Sequence, residues 1–332
     1  MVRVRGMKRL RVGLVLASVW GLAAPTALAA GEEVSLRETT CSWSLMIEEY
    51  RAALKTGSPV LKRYLRTMLK EAALSMPIDL LQEAYDNERE PAVLEALGVA
   101  LATKSSNTDN PKLIRSVLTR AVKDSDPSLR AAAVRGLRGI GSVDAIAKNS
   151  DVATYEQLIR DSSPEVREAV VGNIVEENAK VYFGHHGPVS DAAVSVAAAS
   201  PDPEMAAKLL RDMSMEKAGS AAVGQLTGQL RSDNTNLRAA AATALGSVSA
   251  SEAPGAKDSL LALYREDRNP GVRKAIVQSL ARLGMAGAVP VLESLRGVDP
   301  ALAPEIDAWV KALKLPTQEW WIVQREKERL RK

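Results

Sequence analysis

Apolar side chains recur every three or four residues along most of this 332-residue chain, which is the spacing of one helix face. In the stretch that begins at Pro164, one such stripe contains Val166, Ala169, Val170 and Ile174. The string NPKLIRSVLTRAVKD carries a second stripe, made of Leu113, Ile114, Val117, Leu118, Ala121 and Val122. The pattern therefore predicts a succession of amphipathic helices.

One helical string returns at a regular interval. DSDPSLRAAAVRGLRGIG begins at Asp124, and related strings follow as SPEVREAVVGNI, SDNTNLRAAAATALGSV and EDRNPGVRKAIVQSLARLG. Intervals of 37, 71 and 35 residues separate their arginines, which are Arg130, Arg167, Arg238 and Arg273. The middle interval holds two repeats, and weaker copies place four further residues in register: Lys62, Leu94, Ala206 and Ala303. Residues 58–313 thus divide into about eight two-helix units of roughly 35 residues, which is the period of a helical repeat array.

Each position of the repeat has a structural reason. Proline stands in the first turn of a helix, where its missing N–H costs nothing, and runs of alanine let neighbouring helices approach closely. An acid precedes the arginine by six residues at Asp124, Asp161 and Asp267. An acid on a turn and an arginine on the next helix can bond along a stack. We therefore expect a structural ladder made of Asp124, Arg130, Asp161, Arg167, Arg238, Asp267 and Arg273.

These strings resemble HEAT repeats, and in particular the short bacterial HEAT-like repeats also found in relatives of phycobilin lyases. The resemblance covers residues 58–313 and is most specific around Arg130, Arg167, Arg238 and Arg273. It implies an all-α fold, a right-handed α-solenoid that recognises partners along a concave face. It names no reaction, because one fold carries many functions.

The two ends of the chain depart from the repeat. Residues 1–29 have a basic start, an apolar run and ALA at 27–29, which predicts a signal peptide cleaved near Ala29 and a periplasmic or envelope-associated protein. An uncleaved anchor is the alternative. Residues 30–57 are interpreted as an N-terminal capping helix, and 314–332 as a basic tail that contains Trp320 and Trp321. Cys41 is the only cysteine, so no internal disulfide can form.

Removing the signal peptide changes the charge of the chain. The remaining 39 basic and 40 acidic residues give a net charge of −1, which argues against a nucleic-acid partner. Charge is nevertheless uneven. Residues 51–70 hold six bases and no acid, residues 111–138 have a net charge of +5, and residues 151–204 have a net charge of −7. These segments are interpreted either as solvated helix faces or as electrostatic docking surfaces.

Candidate binding residues follow from that distribution. Lys62, Arg66 and Lys70 share one helical face, and the adjoining Leu61, Leu65, Met68 and Leu69 are expected to turn that face outward. The other candidates are Arg115, Arg120, Lys123, Trp320 and Trp321. The tryptophans close the last repeat or contact a partner or membrane surface.

Catalytic chemistry has little support in the sequence. The only histidines are His185 and His186, which with Asp191 could hold a metal only if a loop wrapped around it, so a solvated loop is preferred. We expect no cofactor and no enzyme activity. The sequence favours a non-catalytic protein–protein interaction scaffold in the bacterial cell envelope. The alternatives are a peripheral binder of anionic membrane or envelope glycan, and a lyase-like enzyme or enzyme subunit.

Overall fold

A computed structural model describes residues 43–108, 110–137, 152–180, 187–211 and 213–315. These residues form helices and connecting turns, without a strand. The helices of the first four pairs are α1 (Trp43–Thr56), α2 (Pro59–Ser75), α3 (Ile78–Asn87), α4 (Pro91–Thr108), α5 (Pro111–Lys123), α6 (Pro127–Gly136), α7 (Val152–Leu158) and α8 (Pro164–Lys180). The next four pairs are α9 (Gly187–Ala199), α10 (Pro203–Arg211), α11 (Ser220–Gln229), α12 (Thr235–Leu245), α13 (Ala253–Glu266), α14 (Pro270–Gly284), α15 (Val289–Arg296) and α16 (Ala303–Leu313).

The helices form two layers. Each even-numbered helix packs against the next even-numbered helix, and each odd-numbered helix packs against the even-numbered helix that follows it. All eight residues in the repeat register lie on even-numbered helices, from Lys62 on α2 to Ala303 at the start of α16. The prediction of an all-α solenoid of paired helices is therefore confirmed. Helix α1 lies within the segment interpreted as a cap, and it pairs with α2.

The even-numbered helices begin where the sequence places turn and cap residues. Asp126 accepts a hydrogen bond from the backbone N–H of Ser128 at the start of α6, over 2.8 Å. Asn269 accepts one from Gly271 at the start of α14, also over 2.8 Å. Such caps satisfy backbone donors that lack a partner in the first turn. Equivalent caps stand at the starts of α2, α10 and α12, where they are Ser58, Asp202 and Asn234, so these helices start at an equivalent point of their units.

Small residues set the spacing within the even layer. Ala131, Ala132 and Ala133 of α6 are completely buried. Gly98 of α4 faces Gly136 of α6 so closely that a Cβ atom on Gly98 would lie 2.9 Å from the Gly136 Cα atom. The backbones of α4 and α6 therefore touch at this point, which only glycine permits.

Within the described part of the chain, the segment Pro270–Arg296 is long and apolar enough to cross a membrane by composition. It contains α14, which packs between α12 and α16 and buries Val272, Ile276, Val277 and Leu280. A core helix of a solenoid has the same composition, because it is covered on several sides.

Candidate interaction site

The expected ladder joins successive repeats. Arg130 pairs with Asp161 over 2.8 Å, Arg238 with Asp267 over 2.7 Å, and Arg273 with Asp299 over 3.0 Å. In each case the arginine lies on one even-numbered helix and the acid on the turn of the next repeat. The same arginines also donate to a carbonyl of their own turn, as Arg130 does to Asp124 over 3.0 Å. The ladder therefore ties each unit to its neighbour at the turns.

Arg120 belongs to this ladder and not to an exposed surface. The register position on α4 is Leu94, which leaves Asp124 without an arginine from the preceding even-numbered helix. Arg120 of α5 fills the gap. It donates to Asp124 over 3.2 Å, bonds the carbonyls of Tyr85 and Glu88, and stacks over the Tyr85 ring. Its side chain is only 9% exposed, so Arg120 is corrected from a binding candidate to a structural residue.

The ladder is interrupted after α8. Arg167 donates to the carbonyl of Asp161 over 2.7 Å, but its buried Nε has no partner among the described residues. The acid position of the next turn holds Ser200, and one repeat later it holds Ser232. The even-numbered helix between them has Ala206 in place of the arginine. The tie between repeats is therefore missing at two successive interfaces.

Two ion pairs join the basic segment to the acidic segment. Arg130 pairs with Asp161, and Arg135 pairs with Glu95 over 2.9 Å and Glu165 over 3.1 Å. Part of the opposite charge of the two segments is therefore compensated within the fold, which argues against two separate docking surfaces. The bases left over within residues 111–137 form one row on the exposed side of α5, with no carboxylate partner among the described residues: Lys112, Arg115 and Lys123.

The basic residues of α2 divide between two environments. Arg66 and Lys70 are exposed and border a cavity of about 200 Å³ whose other walls come from α4 and α8. The neighbouring Tyr50 hydroxyl, and to a smaller extent Glu95, raise the pKa of Arg66 above its ordinary value. Lys62 is only partly exposed. Because helices of three repeats line one cavity, the even layer is concave at this point, and Glu95 and Glu176 also lie in the cavity wall.

The apolar residues around these bases do not all point inward. Leu65 and Leu69 pack toward the core as expected, but Leu61 and Met68 are 43% and 40% exposed. Val60 and Tyr64 are more exposed still. The expectation that Leu61 and Met68 face the core was wrong, because no even-numbered helix precedes α2 in the described part to cover them.

The remaining candidates carry less information. Asp191 accepts a hydrogen bond from the Gly219 backbone N–H over 2.9 Å, which positions the start of α11. His185, His186, Cys41, Trp320 and Trp321 lie outside the described residues. No group of three metal-ligating side chains occurs within the described ranges.

Comparison with known proteins agrees with this architecture. The model of the family described as HEAT repeats matches residues 225–313, and a model described as a HEAT repeat associated with sister chromatid cohesion matches residues 156–171. The fold defines the class, an α-solenoid of helical pairs. Within that class, the chain carries HEAT repeats, which the family model matches over residues 225–313.

Three of the solved structures that match this chain have low sequence identity and TM-scores below 0.5. The Escherichia coli protein YibA is 14% identical, with 83% of this chain and 99% of that chain covered and a TM-score of 0.43. A designed armadillo repeat protein in complex with the peptide (KR)4 is 13% identical, with 73% and 99% covered and a TM-score of 0.35. Human deoxyhypusine hydroxylase in complex with glycerol is 16% identical, with 82% and 99% covered and a TM-score of 0.30. A search of curated protein sequences finds no match.

Proposed function

We propose that this protein is a non-catalytic interaction scaffold of the bacterial cell envelope, and that it binds an acidic protein partner through the exposed face of α5. HEAT-repeat and armadillo-like folds commonly serve as protein-interaction scaffolds. The finer assignment rests on one observation. Lys112, Arg115 and Lys123 form a row on helix α5, whose fourth base, Arg120, is engaged in the fold.

The row on α5 suits recognition of an acidic partner. Its cations lie on a helix whose opposite side is buried through Leu113, Val117 and Ala121, so the backbone is held in place before a partner arrives. Little ordering is then required on binding, which favours affinity. Exposed charges of one sign also increase the rate of encounter with a partner of the opposite sign.

Reversal of the charge along the α5 row tests the proposal. A fluorescently labelled poly-glutamate peptide serves as a defined acidic probe, and anisotropy measures its affinity. We expect the parent protein to bind it more tightly at low than at high salt, because screening weakens exposed charges. The triple variant Lys112→Glu, Arg115→Glu and Lys123→Glu should lose at least about tenfold in affinity.

A matched control carries the same change of charge at exposed bases elsewhere, namely Lys208→Glu, Lys217→Glu and Arg265→Glu. This control should keep most of the affinity of the parent. If both triple variants lose affinity equally, the probe responds to net charge alone and the assignment to α5 fails. Capture of partners from an envelope extract, with and without the α5 variant, then identifies the natural acidic protein.

The envelope location depends on the signal peptide predicted at residues 1–29. N-terminal sequencing and intact mass of the protein from envelope fractions should give a chain that begins at Ala30 or close to it. A full-length mass in the cytoplasmic fraction would contradict export and leave the scaffold function to be tested separately.

A further inference from the structure

Helix α2 carries a row of large apolar side chains on its outer surface. Val60 is 77% exposed and Tyr64 is 60% exposed, and Leu61 and Met68 lie beside them. Since 3.6 residues make a turn, residues 60, 64 and 68 follow one another along one side of the helix over about 12 Å. The opposite side, with Leu65, Leu69 and Ala73, packs into the core. Helix α2 therefore has two apolar sides, of which only one is covered by the described residues.

Basic side chains lie next to this row. Arg63 and Lys70 are exposed and adjoin it on one side, and neither has a carboxylate partner among the described residues. No acid occurs from residue 51 through residue 70, and the first acid of α2 is Glu71, beyond Met68. Lysine and arginine side chains can lie along an apolar surface while their charged ends reach water or phosphate. The exposed surface of α2 thus combines protruding apolar groups with uncompensated positive charge.

We propose that this surface, formed by Val60, Leu61, Arg63, Tyr64, Met68 and Lys70, docks the protein on an anionic lipid bilayer. Val60, Tyr64 and Met68 enter the boundary between headgroups and acyl chains, and Arg63 and Lys70 contact lipid phosphates. Helices with an apolar face and flanking bases bind in this way, parallel to the membrane plane. Tyrosine suits the boundary because its ring is apolar and its hydroxyl is polar.

Charge favours the bilayer over a second copy of the chain and over the chain's own C-terminal residues. A second copy of the chain would bring two segments with six bases and no acid into contact, and like charges across an interface are unfavourable. The chain's own residues 316–332 hold five bases and three acids, so they carry the same sign. An anionic bilayer compensates the cations and accepts the protruding side chains without a matching pocket.

Vesicle sedimentation of the exported form tests the proposal. One set of vesicles contains equal parts of phosphatidylglycerol and phosphatidylcholine, and the other contains phosphatidylcholine alone. We expect binding to the anionic vesicles and little binding to the neutral ones. The triple variant Val60→Ser, Tyr64→Ser and Met68→Ser should weaken binding at least about tenfold, because the apolar contribution is lost. Its helical content should stay unchanged, since these side chains are exposed.

Two controls match these changes. Met285→Ser, Val298→Ser and Leu315→Ser remove three exposed apolar side chains at the other end of the array and should leave binding intact. Arg63→Glu with Lys70→Glu should abolish binding, whereas Lys112→Glu with Lys123→Glu on α5 should preserve it. The α5 double variant should instead weaken binding of the acidic peptide probe. Failure of the membrane proposal and failure of the scaffold proposal therefore give different results.

A fluorescent label locates the contact. In a Cys41→Ser background, Met68→Cys or Ser294→Cys provides one attachment site for an environment-sensitive dye. Emission from position 68 should shift to the blue with anionic vesicles, while emission from position 294 should not. Equal shifts, or undiminished vesicle binding by the Val60, Tyr64 and Met68 variant, would overturn the proposal. A concentration-dependent dimer that this variant disperses, without vesicle binding by the parent, would make a second copy the occupant instead.

Discussion

Arg130 of α6 donates hydrogen bonds to both carboxylate oxygens of Asp161, from Nε over 2.9 Å and from Nη2 over 2.8 Å. Asp161 belongs to the turn before α8, in the next repeat, where it also accepts the backbone N–H of Ser163 over 2.8 Å. One carboxylate therefore fixes a turn and joins two repeats. In an array whose units contact only their neighbours, such ties control how far unfolding spreads.

Replacement of Asp161 by asparagine should destabilise the protein by about 2 kcal/mol, because Arg130 keeps its partly buried position without a carboxylate. Asparagine can still accept the Ser163 N–H, so the loss reports mainly on the ion pair. Urea unfolding followed by circular dichroism measures the change. The matched variant Asp258→Asn, at an exposed acid of α13 outside the ladder, should unfold as the parent does.

The contribution of Asp161 should disappear in acid. The hydrogen bond from Arg130 holds the pKa of Asp161 below its ordinary value. In the folded state the Asp161 carboxylate therefore binds a proton at lower pH than in the unfolded state, where it titrates at about pH 3.9. The stabilisation is complete above that value and is lost as pH falls through the lowered pKa. The stability difference between the parent and Asp161→Asn should shrink below about pH 3.9, and a constant difference across this range would contradict the assignment.

The ladder shows what spacing along a sequence can and cannot predict. Arg130 and Asp161 occupy equivalent places in successive copies of one string, so their register was predictable. Arg120 lies outside that string, and its part in the ladder depends on how α5 packs beside α3 and α4. A signal was present, because Asp124 keeps the acid while Leu94 replaces the arginine that would pair with it. An acid without its repeat partner points to a substitute donor.

The surface of α2 marks a second limit. Helical periodicity identifies two apolar sides on α2, but the sequence does not tell which of them a neighbouring helix covers. Leu65 and Leu69 lie against the next repeat, whereas Leu61 and Met68 lie on the side where the described array ends. Repeat patterns describe interior units best, since each is covered on both sides.

Replacement of Gly98 by alanine should destabilise the protein by about 1–3 kcal/mol through overpacking. The added methyl group would lie 2.9 Å from the Gly136 Cα atom, so the α4 and α6 backbones would have to separate. Gly224→Ala in α11 is the matched control, since no atom lies within 4 Å of its added Cβ. There the better helix propensity of alanine should stabilise by up to about 1 kcal/mol. Changes of the same sign in thermal unfolding would contradict the close approach of α4 and α6.

Met285 offers a test of backbone strain. It ends α14 with φ of 46°, in a region that favours glycine, and its side chain is more than half exposed. Replacement by glycine should stabilise the protein by about 1 kcal/mol, because the strain is relieved with little loss of packing. Met285→Ala keeps the Cβ atom and should give no such gain, so equal effects of glycine and alanine in urea unfolding would refute the role of the backbone.

Restoration of the ladder at its first gap provides the most specific test of the repeat register. Ser200 occupies the acid position after α8, and its Oγ accepts the Asp202 backbone N–H over 3.2 Å. Asp161 and Asp267 accept the equivalent N–H in their own turns, so aspartate fits this turn geometry. Ser200→Asp would place a second carboxylate oxygen toward the buried Arg167 Nε, which has no partner among the described residues. We expect a gain of about 1 kcal/mol in stability.

Ser232→Asp is the control that separates the stabilising effect of the new ion pair from that of a better hydrogen-bonded turn. Ser232 holds the same position one repeat later, and its Oγ accepts the Asn234 backbone N–H over 3.2 Å, but the preceding even-numbered helix has Ala206 where the arginine would stand. Ser232→Asp should therefore give no comparable gain. A double-mutant cycle of Ser200→Asp with Arg167→Leu should show favourable coupling, because removal of either partner removes the interaction. Equal stabilisation by the two aspartates, with no coupling to Arg167, would mean that the turn alone responds and that Arg167 does not face the next repeat as Arg130 does.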